Sequence, residues 1–195
     1  MLKRFSKYVC QSVAGMIGIS VYILADTFFI SFYSGADGLA VLNMILPVFG
    51  MMYAIGSMIG IGSATRYGIS KAKGEESDHY FTQSVSWTLL FSIPFVLTGI
   101  FVPDKFLALL GADASLVELG KTYLRIILVV APLFMCNYSV TAFARNDHAT
   151  STVMAGSLAG SAFNIVFDYI FIFPVGLGFS GAALATAFCP AVTIL

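Results

Sequence analysis

Long apolar stretches separated by short polar ones run the length of this 195-residue chain. The first, from about residue 8 to 33, is broken only by Asp26. At about 1.5 Å per helical residue, a run of that length crosses a bilayer with some tilt. Ser34-Gly35-Ala36-Asp37-Gly38 is a turn by composition. A second run covers residues 39–65 and carries Pro47, Gly56, Gly60 and Gly62, which suit close packing and a bend. Residues 71–79, the most hydrophilic segment, must lie outside hydrocarbon as a solvated loop. Three further runs cover residues 84–102, 119–144 with a kink at Pro132, and 150–173, and a sixth starts near residue 179. Residues 106–119 alternate apolar and charged groups without the length to span, and predict a short interfacial helix and turn. The sixth run is still apolar at Leu195 and is expected to be truncated there. The predicted fold is therefore an all-α integral membrane bundle of about six transmembrane helices in a single lobe.

Composition agrees with that pattern. Hydrophobic residues make up 58% of the chain and charged residues 10%, where a soluble domain carries about a quarter charged. The formal charge is zero, so no global basic surface argues for nucleic acid. Cys10, Cys136 and Cys189 lie in or beside apolar runs without metal-ligand spacing, which points to ordinary buried thiols. Lys3, Arg4 and Lys7 precede the first run with no small-residue cleavage site, so that run is expected to be a retained span. A cytoplasmic N-terminus places these three with Arg66, Lys71, Lys73 and Arg145 inside, against Lys105, Lys121 and Arg125 outside, which satisfies the positive-inside rule. His148 follows the fourth run as a solvated loop histidine.

The fifth run holds the chemistry. Asn164 and Asp168 are four apart and share a helix face, and Gly156 and Gly160 extend that face toward the start of the helix. The glycines would let a neighbouring helix approach closely. An ionisable group at that depth marks a functional site by default. Asp26 lies about 10 Å below the outer end of its run, Asp168 about 8–9 Å below Pro174, and Thr186 about 12 Å into the sixth run. Asn164 sits one turn deeper, and Tyr123 enters from the outer end of the fourth run. Two carboxylates at one dehydrated site cannot both ionise cheaply, so one holds a proton or a cation sits between them. Oxygens of Thr186, Asn164 and Tyr123 suit either Na⁺ or a proton relay.

At these residues the chain resembles the multidrug and toxic compound extrusion (MATE) family, on its DinF-like and MepA-like side. The resemblance rests on Leu24-Ala25-Asp26-Thr27-Phe28-Phe29-Ile30, Gly60-Ile61-Gly62-Ser63-Ala64, Ala144-Arg145-Asn146-Asp147, Asn164-x-x-x-Asp168-Tyr169 and Gly181-Ala182-Ala183-Leu184-Ala185-Thr186. It implies the N-terminal lobe of a twelve-helix antiporter of the bacterial cytoplasmic membrane. Such a transporter exports amphipathic, often cationic compounds against H⁺ or Na⁺, without a cofactor or enzymatic step. Asp26, Asn164, Asp168 and Thr186 would form its cation or proton site, with Tyr123 matching a fourth-helix tyrosine. Any bound Na⁺ would sit at Asp26, Asn164 and Asp168. The drug cavity of the family lies between lobes, so a C-terminal lobe or second bundle is the implied partner. The early proline of members whose first helix bends is absent here, where Gly15, Met16 and Gly18 stand. A lipid-linked oligosaccharide flippase would favour a cationic cavity, against the acidic site expected here. A non-transporting truncated membrane module and an intramembrane enzyme using Asp26 and Asp168 as a dyad are the other readings.

Overall fold

The computed structural model describes residues 2–194. Residue 195, where the sixth run was expected to continue, lies outside the described residues, as do the side chains of Lys3, Arg4 and Lys7. The chain forms α1 (Leu2–Lys73), α2 (His79–Phe101), α3 (Pro103–Leu109), α4 (Ala114–Val129), α5 (Ala131–Asn146), α6 (Thr150–Ile172) and α7 (Phe179–Ile194).

The 72-residue α1 is two helices folded at one residue, Gly35, whose φ of 61° and ψ of −145° leave helical space. We call residues 2–34 the first limb and residues 36–73 the second. The turn expected over Ser34–Gly38 is thus confined to Gly35, because a glycine can take a backbone conformation that a Cβ forbids. The second limb also runs past its expected end at residue 65, so Lys71 and Lys73 are helical and the polar loop is shorter than predicted. Its last turn is held by Lys71 Nζ, which donates to Asp147 Oδ1 (2.5 Å) and to the Tyr67 hydroxyl (3.1 Å).

The run predicted over 119–144 with a kink at Pro132 is two helices, α4 and α5, bent by 46° across Val130. Pro132 has no N–H to continue the α4 ladder and sits in the first turn of α5, where none is needed. The start of α4 also lies earlier than predicted, at Ala114, because the Asp113 carboxylate accepts from Leu116 N–H (2.9 Å) and caps it. The segment placed at the interface therefore divides: Pro103–Leu109 is the short helix α3, and residues 114–119 belong to α4.

Along α2, buried and exposed positions are reversed relative to a soluble bundle. The buried residues of α2 are Ser84, Thr88, Ser92 and Gly99, while Trp87, Phe91, Leu97 and Phe101 of the same helix are exposed. Thr88 Oγ1 meets Ser139 Oγ of α5 at 3.0 Å. In lipid no gain comes from burying one apolar side chain against another, so small and hydroxyl residues that allow close approach occupy the seams. An apolar core of Ile30, Ile45, Tyr123, Ile127, Leu128 and Ile172 lies where both limbs, α4 and α6 converge.

Candidate functional site

Four elements contribute to one polar cluster. Asp26 comes from the first limb, Asn164 and Asp168 from α6, Thr186 from α7 and Tyr123 from α4. Each is buried: Asp168 and Asn164 are 0% exposed, Tyr123 1%, and Asp26 and Thr186 7%. Among the described residues, these two aspartates are the only buried charged side chains.

The approach of the helices explains the convergence. A Cβ at Gly156 would lie 2.5 Å from the Thr193 carbonyl oxygen, and one at Gly160 would strike Thr193 Oγ1. The partner of the glycine face is therefore α7, drawn close enough to bring Thr186 to the level of Asn164. On the other side of α6, a Cβ at Gly18 would meet Leu158 Cδ2 at 2.6 Å and Ser161 Oγ at 3.5 Å, which seats the first limb and Asp26 against the same helix.

Within the cluster the Asn164 amide bridges α6 and α7. With its nitrogen toward Asp168 it donates to Oδ2 (3.0 Å), and its oxygen accepts from Thr186 N–H (3.3 Å). The opposite orientation donates to Thr186 Oγ1 (3.3 Å) and turns the amide oxygen toward the carboxylate, so the first is the better paired. Asp26 and Asp168 lie in each other's electrostatic surroundings, and Tyr123 has both aspartates and Thr186 in its own. Asp26 Oδ1 and Asp168 Oδ1 have no hydrogen-bond partner. An unpaired buried carboxylate oxygen is costly, and a proton or a cation is what such oxygens accept. Among the described residues no three His, Cys, Asp or Glu side chains converge. A cation here would complete its shell from the oxygens of Asn164, Thr186 and Tyr123.

All five residues singled out in the sequence thus meet. Three neighbours were missed. Tyr22 lies one turn before Asp26, and its electrostatic surroundings include both aspartates, Cys189 and Tyr138. The four-residue step from Tyr22 to Asp26 was a readable signal; Tyr138 and Cys189 enter only through packing. Along the edge of the bundle, a groove of about 630 Å³ opens between the two limbs, α5 and α6, lined by Met16, Tyr53, Asn137, Tyr138 and Arg145 among others.

The MatE family model matches residues 12–170. The multidrug export protein MepA of Staphylococcus saprophyticus is 32% identical over 192 residues, covering 94% of this chain and 42% of that protein. An outward-facing multidrug resistance MATE family transporter of the MOP superfamily superposes with a TM-score of 0.86 at 27% identity, over 95% of this chain and 41% of its own. A MOP superfamily transporter from Pyrococcus furiosus, described as having a binding pocket of reverse polarity, gives a TM-score of 0.84 at 29% identity, over 96% of this chain and 42% of its own. The chain spans less than half the length of the relatives it matches.

Proposed function

The chain belongs to the MatE family, and on that premise we propose that it is the ion-coupling lobe of an antiporter that exports amphipathic, often cationic compounds. The observation that supports this reading is the pair of buried carboxyls, Asp26 and Asp168, brought into one cluster from two helices with one unpartnered oxygen apiece. With both ionised, the first limb and α6 repel across a medium of low dielectric; one proton or one Na⁺ removes the repulsion. Ion binding therefore favours the arrangement in which the first limb is seated on α6, and ion release favours a displaced one. Such a difference in affinity between two arrangements is what an ion gradient needs to drive a conformational cycle.

Asn164 and Thr186 hold the site to α7, so movement of the first limb changes the site without dismantling it. The groove bounded by both limbs, α5 and α6 supplies one wall of a substrate path. A second bundle supplies the other, and the N-terminus faces the cytoplasm. H⁺ and Na⁺ are both served by these oxygens. Purified full-length transporter in liposomes, tested under an imposed Na⁺ gradient and separately under a pH gradient, distinguishes them. Export is expected under at least one gradient and is expected to be lost in Asp168→Asn; robust export by that variant under both gradients would reduce Asp168 to packing.

A further inference from the structure

At the end of the second limb remote from Gly35, a separate cavity of about 490 Å³ lies between that limb, α2 and α5, well removed in sequence from the aspartate pair. Three rings wall it. Phe143 packs edge-on against Tyr67 (5.5 Å between centroids) and Phe81 (5.2 Å). The carboxylates of Asp78 and Asp147 stand in its lining. An aromatic face beside a carboxylate is the chemistry that holds a poorly hydrated cation.

The protein's own lysine shows what this corner binds. Lys71 Nζ sits 2.5 Å from Asp147 Oδ1 and 5.1 Å from the centre of the Tyr67 ring. An ammonium thus already uses the carboxylate and the Tyr67 hydroxyl together, at the edge of the ring, while the apolar surface of Phe81, 41% exposed, is left uncovered beside it. Lys71 and Asp147 are themselves more than half exposed, so the pair is weak enough to be exchanged.

We infer that this pocket is a capture site for an amphipathic organic cation, whose charged head replaces Lys71 on Asp147 and Tyr67 while its apolar body covers Phe81. The inference rests on the reading of cationic compounds as cargo. A compound of that class concentrates at a membrane surface with its charge in the interface. The pocket occupies such a position: apolar helix on one side, the polar segment 74–78 on the other. Lys71 is then a built-in competitor, which limits capture to cations that also bury apolar surface.

The test uses a triphenylphosphonium carrying an aryl azide, photolysed with the purified protein in detergent, with adducts mapped by mass spectrometry. Label is expected in the peptides containing Tyr67–Phe81 and Val140–Asp147. Asp147→Asn and Phe81→Ala are each expected to raise the half-saturating concentration about twofold to fivefold, the scale of one exposed cation–aromatic or ion-pair contact. Lys71→Gln is expected to lower it, a gain that damage to the fold would not produce. Unchanged labelling in both Asp147→Asn and Lys71→Gln overturns the capture site. Because labelling needs no gradient, a transporter that exports under a gradient yet labels without regard to Asp147 would refute this site and leave the antiporter reading intact. Correct labelling without export would support the site and count against the coupling.

Discussion

Asp26 and Asp168 differ in what supports them. Asp168 has an amide one turn away on its own helix, whereas Asp26 meets the cluster only because the first limb packs against α6. If they share one proton or one ion, replacing either with Asn removes the same function, and the double replacement costs little more than a single one. Initial rates of ion-driven dye export for the two single variants and the double variant check this; losses that multiply would mean two independent sites. At the surface, the Asp147 carboxyl is held below the usual carboxylate range by the hydrogen bond and charge of Lys71, and Lys71 is raised by Asp147 and then Tyr67. A depressed carboxyl contributes stability above its unfolded value and loses it as pH falls through the folded one; a raised lysine loses its contribution only as pH rises through its own. The difference in thermal stability between the wild type and Asp147→Asn should therefore be flat between about pH 6 and 9, begin to shrink below about pH 5 and vanish only once pH has fallen through the depressed folded value.

Between helices, the glycines fall into kinds that the sequence did not separate. Gly56 and Gly60 of the second limb press on α5, where added Cβ atoms would meet the Met135 carbonyl oxygen at 3.0 Å and Ser139 Cα at 2.7 Å, while Gly62 has nothing within 4 Å. Gly156→Ala, which must displace the backbone of α7, is expected to cost about 1–3 kcal/mol. Gly62→Ala is expected to be neutral or stabilising by up to about 1 kcal/mol, since alanine restricts the unfolded chain and clashes with nothing. Gly35→Ala places a side chain in a backbone region reserved for glycine and should cost about 1–3 kcal/mol. Thermal unfolding in detergent followed by size-exclusion chromatography ranks the three; a Gly62→Ala loss as large as that of Gly156→Ala would contradict the packing described here.

For the whole molecule, alternating access requires one bundle to move against another around a fixed site. In the antiporter proposed above, this chain would supply one bundle, with the aspartate pair inside it and the 630 Å³ groove along its edge. Expressed alone in a drug-hypersensitive bacterium, it should leave dye accumulation unchanged. Energy-dependent loss of dye from those cells would instead mean that two copies of this lobe assemble into a working path.

Much of this is legible in the sequence alone. Apolar run length sets what a bilayer accepts, so the membrane bundle followed from the pattern alone. The cost of a buried charge marked Asp26 and Asp168, and the four-residue step joined Asn164 to Asp168 because both effects act within one helix. The tertiary structure decided what depends on distance between helices. It reduced the first turn to Gly35, set α7 against Gly156 and Gly160, and brought Tyr22, Tyr138 and Cys189 to the site. Equal depth in a bilayer can be counted along a helix, but which faces turn toward each other is fixed by side-chain volume at the seams, and that is a property of pairs of helices.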